Sequence, residues 1–152
     1  MENEPSVLLL DHAYFMRKAL SEAVYAASLD EVPVGVVVVC QNKIIAKGYN
    51  LTQQLNDVTA HAEMQAITSA SNYLGAKYLT DCILYVTLEP CLMCAGALAW
   101  AQIGTVVFGA KDKEPRKIEL KEVLHPKTKL ISGVLEEECG QLLTEFFLKK
   151  RN

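Results

Sequence analysis

The sequence predicts an α/β domain of three layers, in which a central sheet lies between two layers of helices. Segments with the apolar, β-branched character of buried strands alternate along the chain with segments of helical pattern, which is typical of a sheet covered on both faces. The chain has 152 residues, an ordinary length for one domain, and it contains no internal repeat or low-complexity linker. We therefore expect a single domain over residues 1–152.

The first half of the chain supplies one helix, two strands and a second helix. Asp11 is a suitable N-cap for a helix over residues 12–29. The run VGVVVVC, Val34 to Cys40, is apolar throughout and predicts a strand buried on both faces. Gln41 and Asn42 turn the chain into a second strand, KIIAKGYN, which ends at Asn50. After a polar loop over residues 51–60, a helix is expected from about His61 to Leu74.

The second half continues the alternation. DCILYVTL, residues 81–88, predicts another buried strand, and Pro90 suits the first turn of the helix that follows it. GTVVFGA predicts a fourth strand, and the short segment ISGVL, residues 131–135, predicts a fifth. A last helix with apolar residues along one face is expected from about Glu136 to Lys150.

Composition limits the compartment and the type of partner. The amino-terminal sequence MENEPSVLLLDH has acidic residues ahead of only four apolar ones, unlike a secretory signal, and no apolar run approaches the roughly 18 residues of a membrane span. We therefore expect a cytoplasmic protein with reduced thiols, and the odd count of 5 cysteines argues against a disulfide framework. The net charge is −3, but residues 106–152 carry 10 Lys and Arg against 8 Asp and Glu, so a polyanion would contact that part.

The stretch TLEPCLMCAGAL contains the strongest chemical signal. Cys91 and Cys94 lie one helical turn apart at the expected start of a helix, so both sulfurs can reach one ion, and the helix dipole favours their thiolate forms. A CxxC pair alone does not distinguish between a redox couple, half of a structural zinc clip and the ligands of a catalytic metal. His61, at the start of the preceding helix, supplies a third ligand. One His and two Cys leave the fourth tetrahedral position of zinc open for water, as in a catalytic site.

Glu63, two residues after His61, has a role in such a site. Zinc lowers the pKa of bound water to roughly 7, and a neighbouring carboxylate can carry the proton to a substrate nitrogen. His12, His125 and Cys82 lack ligand spacing to the other residues, and Cys40, Cys82 and Cys139 are expected to be buried packing residues. The residues therefore favour a catalytic zinc site with Glu63 as the proton carrier.

The chain closely resembles the bacterial tRNA-specific adenosine deaminases of the cytidine deaminase superfamily. HxE followed by PCxxC is the pattern of the zinc-dependent nucleobase deaminases. The likeness spans about residues 31–147 and is carried by EVPVGVVVV, GYN, TAHAEMQA, LYVTLEPCLMCAGAL, IGTVVFGAKD and LLTEFF.

The resemblance implies a five-stranded mixed sheet between helix layers, a homodimer, and conversion of adenosine to inosine at the wobble position of the tRNA anticodon. It implies zinc ligation by His61, Cys91 and Cys94 and proton transfer by Glu63. It further implies three substrate-binding residues: Asn50 binds the base, Val34 packs against it, and Asp112 lies beside the preceding nucleotide. Asn50 also suits a simple turn after its strand.

Three other functions remain open from the sequence, of which one is a redox protein that uses the CxxC pair. The segment KEPRKIELKEVLHPKTKLIS is shorter than its counterpart in the family and lacks an Asn-His pair, and its lysines suit either phosphate contacts or a solvated loop. Together with the acidic net charge, this leaves a deaminase of a free nucleobase or nucleoside, such as cytosine or guanine, as the alternative. A non-catalytic RNA-binding protein with zinc kept for folding is disfavoured by Glu63, which a structural site does not need.

Overall fold

The computed structural model describes residues 10–114 and 116–151. Its helices and strands, in chain order, are α1 His12–Ser28, β1 Gly35–Cys40, β2 Lys43–Tyr49, α2 Thr52–Leu55, α3 Ala62–Leu74, β3 Cys82–Leu88, α4 Leu92–Trp100, β4 Thr105–Ala110, α5 Leu120–Val123, β5 Lys129–Ile131 and α6 Glu136–Arg151. The amino-terminal segment considered above as a possible signal lies mostly outside the described residues. None of the described helices combines the length and apolar character needed to cross a membrane.

The five strands form one mixed sheet in the order β2-β1-β3-β4-β5. Strand β1 runs antiparallel to both β2 and β3, whereas β3, β4 and β5 are parallel. Strands β2, β3, β4 and β5 therefore point the same way, and β1 alone is reversed. The predicted five-stranded α/β fold is confirmed.

Alternating side chains of β1 divide the core into two layers. Val36 and Val38 pack with α3 and α4 residues such as Ala66 and Leu98 on one face of the sheet. Val37 and Val39 pack with Phe15 and Met16 of α1 on the other face. All four valines are buried, as the continuous apolar run predicts.

Several predicted boundaries are confirmed by local chemistry. The Asp11 carboxylate caps α1 by accepting the backbone N–H of Tyr14 at 2.8 Å. Helix α3 ends at Gly75, which has the left-handed conformation (φ 64°) that glycine adopts without steric cost. Cys82 and Cys139 are buried, as expected, and Cys40 is half-buried against the core.

Four details differ from the sequence prediction. The loop over residues 51–60 contains the short helix α2, and a second short helix, α5, precedes β5. Helix α4 begins at Leu92 with Cys91 as its N-cap, so Pro90 precedes the helix instead of lying in its first turn. The fifth strand is β5, Lys129–Ile131, instead of ISGVL, because the chain turns away at Gly133, where φ is 81°.

Glycine lets α3 approach the sheet closely. A Cβ atom added to Gly48 of β2 would lie 2.5 Å from the Ala62 carbonyl oxygen and 3.1 Å from the Ala66 nitrogen, both in the α3 backbone. A side chain at residue 48 therefore cannot fit unless α3 moves away from β2.

We predict that Gly48→Ala destabilises the fold by about 1–3 kcal/mol, because the first turns of α3 must shift. Gly140→Ala is the matched control, since its added Cβ would meet only Ala110 at 3.8 Å, and we expect it to be neutral or stabilising by up to about 1 kcal/mol. Urea unfolding followed by circular dichroism measures both. Equal stability of Gly48→Ala and the wild type would contradict this view of the packing.

Candidate functional site

The candidate functional residues lie together at one edge of the sheet. Strands β2, β3 and β4 end at this edge, and the reversed strand β1 begins there. A cavity of about 240 Å³ opens at this edge. The residues that line it are Val32, Val34, Asn50, Thr52, His61, Ala62, Glu63, Leu88, Glu89, Cys91 and Asp112. Six of the seven residues selected from the sequence therefore share one cavity, and the seventh, Cys94, lies beside it.

His61, Cys91 and Cys94 come together from the starts of two helices. His61 is the N-cap of α3 and Cys91 the N-cap of α4, yet neither side chain makes a capping hydrogen bond to its own helix. The His61 Nδ1 atom lies 3.5 Å from the sulfur of Cys91 and 3.5 Å from that of Cys94. The side chains therefore face one another instead of closing their own helix ends.

This group fits a metal of the zinc type. One ligand atom from each of the three residues lies within 4.8 Å of the others, which makes them a group able to hold one ion, the one such group in the described chain. An imidazole nitrogen and two thiolate sulfurs are ligands that zinc prefers. His12 and His125, rejected on spacing, do not belong to the group.

The thiols of Cys91 and Cys94 have different pKa values. A hydrogen bond with Cys94 lowers the pKa of Cys91 to about 5, so its thiolate is present at neutral pH. The same hydrogen bond and burial raise the pKa of Cys94. One sulfur is thus already in the form that binds a cation.

Glu63 lies on the first turn of α3 and is almost fully buried, with 4% of its surface exposed. Burial removes the carboxylate from water and raises its pKa to about 7. A carboxyl group with such a pKa can both accept and donate a proton near neutrality.

Hydrogen bonds tie the strand ends around the cavity. The backbone N–H of Asn50 donates to the Val34 carbonyl at 3.2 Å, which joins the end of β2 to the start of β1. The Asp112 N–H donates to a Glu89 carboxylate oxygen at 3.0 Å, which joins the segments after β4 and β3. The carboxylate of Asp112 also pairs with Arg116 at 3.3 Å. Asn50, Val34 and Asp112 are therefore held in fixed positions on the cavity wall.

Two carboxylates at this edge were not selected from the sequence. Glu89 lines the cavity and lies two residues before Cys91, and that position directly after a buried strand was the available signal. Glu31 is fully buried and bonds to Asn50 and to the start of α2. Its sequence signal was weak, because an acidic residue before an apolar strand is usually exposed to solvent.

Comparison with known proteins first identifies the class of protein to which the chain belongs. The family model of the cytidine and deoxycytidylate deaminase zinc-binding region matches residues 10–110, which include all of the metal-binding candidates. The fold and the site are thus those of a zinc-binding deaminase domain.

Individual relatives narrow this class. The chain is 40% identical to the tRNA-specific adenosine deaminase of Agrobacterium fabrum over 94% of this chain and 98% of that protein. It is 44% identical to the enzyme of the same name from Aquifex aeolicus, over 91% and 95% of the two chains. It is also 46% identical to the chloroplastic tRNA(adenine(34)) deaminase of Arabidopsis thaliana, but spans only 12% of that longer protein. The chain belongs to the tRNA-specific adenosine deaminases of the cytidine and deoxycytidylate deaminase family.

Solved structures agree on the fold. A structure from a study of A-to-I editing by tRNA:A34 deaminases matches with a TM-score of 0.80 and 40% identity, over 87% of this chain and 100% of that one. The guanine deaminase of Nitrosomonas europaea matches with a TM-score of 0.81 but only 26% identity, over 95% and 88% of the chains. Because both types share this fold, the substrate has to be argued from residues.

Proposed function

We propose that this protein hydrolytically deaminates adenosine to inosine at the wobble position of tRNA anticodons. The observation that carries the proposal is the single cavity lined by His61, Cys91 and Glu63, with Cys94 beside it, in a chain 40% identical to tRNA-specific adenosine deaminases over almost its whole length. Each residue then has a separate role.

His61, Cys91 and Cys94 would hold a zinc ion. When bound by three protein ligands, zinc supplies a water molecule activated for attack on a carbon of the base. The low pKa of Cys91 supports this role, because a thiolate is the ligand form of cysteine.

Glu63 is the proposed proton carrier. It accepts a proton from the attacking water and delivers it to N1 of the adenine ring. It then carries the remaining proton of the new C6 hydroxyl group to the amino group, which leaves C6 as ammonia. Its burial in the cavity wall and its pKa of about 7 support both halves of this transfer.

The cavity wall would hold the target base. Asn50 hydrogen-bonds the base, and Val34, on the same wall, packs against its ring. The base must leave the anticodon stack to enter this closed space, and unpaired loop nucleotides do so at low cost. Asp112 lies at the mouth, beside the proposed position of the preceding nucleotide.

A larger groove continues from the cavity and would receive flanking nucleotides. It has a volume of about 790 Å³ and shares Val32, Leu88 and Asp112 with the cavity. Phe147 of α6 offers a half-exposed ring for stacking, and Lys111, Lys113 and Arg151 lie on the walls beside Glu114 and Glu136.

The fold places the lysines of residues 111–129 at two different edges of the sheet. Lys127 and Lys129 lie by the amino ends of β3, β4 and β5, at the opposite edge of the sheet from the cavity. Only the lysines near β4, Lys111 and Lys113, line the groove. We propose that these two, instead of the whole segment, contact RNA phosphates near the active site.

We also propose a homodimer formed through the face of α3 and α4. Trp100 of α4, which is 84% exposed, lies on the wall of a broad surface depression, and Val58, which is 85% exposed, lies in the loop before α3. Large apolar side chains exposed on a surface are candidate contacts for a protein partner. Thr59 and Ala60 line the depression, and His61 next to them lines the cavity, so the dimer contact would adjoin the active site. For a tRNA substrate and free thiols, the cytoplasm is the proposed location.

We predict about one zinc ion per purified chain, measured by inductively coupled plasma mass spectrometry. Cys94→Ser should lose the metal, because only two strong ligands remain, whereas Glu63→Ala should retain it. Cys40→Ser is the matched control, since that cysteine lies outside the metal group, and it should keep its zinc. Wild-type protein without metal and with Cys91 joined to Cys94 by a disulfide would contradict the proposal.

We predict inosine formation in an anticodon stem-loop that carries adenosine at the wobble position. Glu63→Ala should lower the rate by about 10²–10⁴-fold or more while zinc is retained, because the proton carrier is lost. Free adenosine, cytosine and guanine are assayed in parallel by ammonia release. Turnover of a free base without any inosine in RNA would refute the tRNA assignment and favour the alternative nucleobase deaminase.

We predict a particle of twice the 16.8 kDa chain mass in light scattering after size exclusion. Trp100→Asp should shift this particle toward the monomer, because a charge would replace apolar surface at the proposed contact. Leu148→Asp, an exposed apolar residue of α6, is the control and should leave the mass unchanged. A wild-type monomer at micromolar concentration would exclude the dimer.

A further inference from the structure

Glu31 is a buried carboxylate close to the cavity whose role is not explained by the proposed chemistry. It lies between α1 and β1, has 0% of its surface exposed, and its own N–H donates to the Ala26 carbonyl at 3.0 Å. Its partners in the described chain are neutral N–H and O–H donors. A carboxylate so fully buried is tolerated only where several donors replace its hydration.

The donors come from the segment that follows β2. Glu31 accepts the backbone N–H of Gln54 at 2.7 Å and that of Gln53 at 3.1 Å. These are free N–H groups of the first turn of α2, and the N-cap of that helix, Leu51, provides no side-chain cap. Glu31 therefore caps α2 from a distant part of the sequence and fixes the segment that follows Asn50.

The same carboxylate also binds the Asn50 side chain. The Nδ2 group of Asn50 donates to Glu31 at 3.4 Å, and the hydroxyl of Thr52, another residue on the cavity wall, donates at 3.4 Å. All four groups that reach the Glu31 carboxylate are donors, so its oxygens act as acceptors and pair with the NH₂ end of the amide, not with the carbonyl end. With one Nδ2 hydrogen bound to Glu31, the amide is fixed in one orientation, and its Oδ1 acceptor and second Nδ2 hydrogen are the groups left for the base.

We infer that Glu31 is a positioning residue that orients the Asn50 amide and thereby sets which hydrogen-bonding group the cavity presents to its base. This inference rests on the proposed base-binding role of Asn50. A glutamine at residue 31 carries both a carbonyl and an NH₂ group, so it can pair with either end of Asn50 and no longer selects one orientation.

The experiment is a double-mutant cycle on deamination of the anticodon stem-loop. Glu31→Gln in the wild-type background should lower kcat/KM by about 10- to 100-fold, the range expected for loss of a charged hydrogen bond. In the Asn50→Ala background the same change should cost less than about 3-fold, because the amide that Glu31 orients is absent. Equal losses in the two backgrounds would mean that Glu31 acts only on stability, and would overturn the inference.

Two further variants serve as controls. Glu31→Asp keeps the charge and both acceptor oxygens, so it should recover part of the lost kcat/KM. Glu137→Gln makes the same chemical change on the exposed surface of α6 and should match the wild type. If Glu31→Gln does not fold, Glu31→Asp carries the cycle with Asn50→Ala, and additive losses again overturn the inference.

A second measurement does not depend on activity. The side-chain NH₂ resonances of Asn50, assigned by their absence in Asn50→Ala, should shift in Glu31→Gln or Glu31→Asp and stay unchanged in Glu137→Gln. Wild-type protein that forms no inosine would refute the proposed function, and this spectrum would still test the contact itself. Unshifted Asn50 resonances would overturn the inference whatever the activity.

Discussion

The cavity at the carboxyl ends of β2, β3 and β4 depends on the direction of one strand, β1. Because β1 is antiparallel to both of its neighbours, β2 and β3 run the same way, and the helices that follow them, α3 and α4, begin at the same edge of the sheet. His61 and Cys91, the N-cap residues of these helices, are thereby brought together from positions 30 residues apart. The reversed strand also carries Val34 to this edge, so the metal group and the apolar wall of the cavity follow from one topological feature.

Close packing of α3 against β2 then determines how far His61 lies from the two cysteines. Gly48 allows the backbone of α3 to lie against β2, and the alanines at the start of α3 keep that contact small. A side chain at residue 48 would displace the start of α3 and with it His61, which would disturb a zinc site because its ligand distances are narrowly defined. The small residues of TAHAEMQA are therefore part of the geometry of the site.

The sequence predicted those parts of the molecule that are determined by local pattern. The valines of β1, the Asp11 cap and the Gly75 stop are read directly from neighbouring residues, and the His61–Cys91–Cys94 group follows from motif spacing. The prediction missed α2, because its first turn is capped by Glu31 from a distant part of the chain and Leu51 gives no local signal. Strand β5 was misplaced because only three residues pair with β4, too few for an alternating pattern. The apolar residues of α6 were predicted along one face; of the described residues of this helix only Cys139 is buried, while Leu143 and Phe147 line the groove.

Three glutamates near the cavity have different roles because their surroundings differ. Glu31 receives four donors, which is why it can hold other groups in place. Glu89 receives the Asp112 N–H and joins two loops. Glu63 is also buried, and burial raises its pKa to about 7, so that its proton is exchangeable at neutral pH. The raised pKa of Glu63 therefore suits proton transfer, whereas Glu31 and Glu89 hold neighbouring N–H groups in place around the cavity.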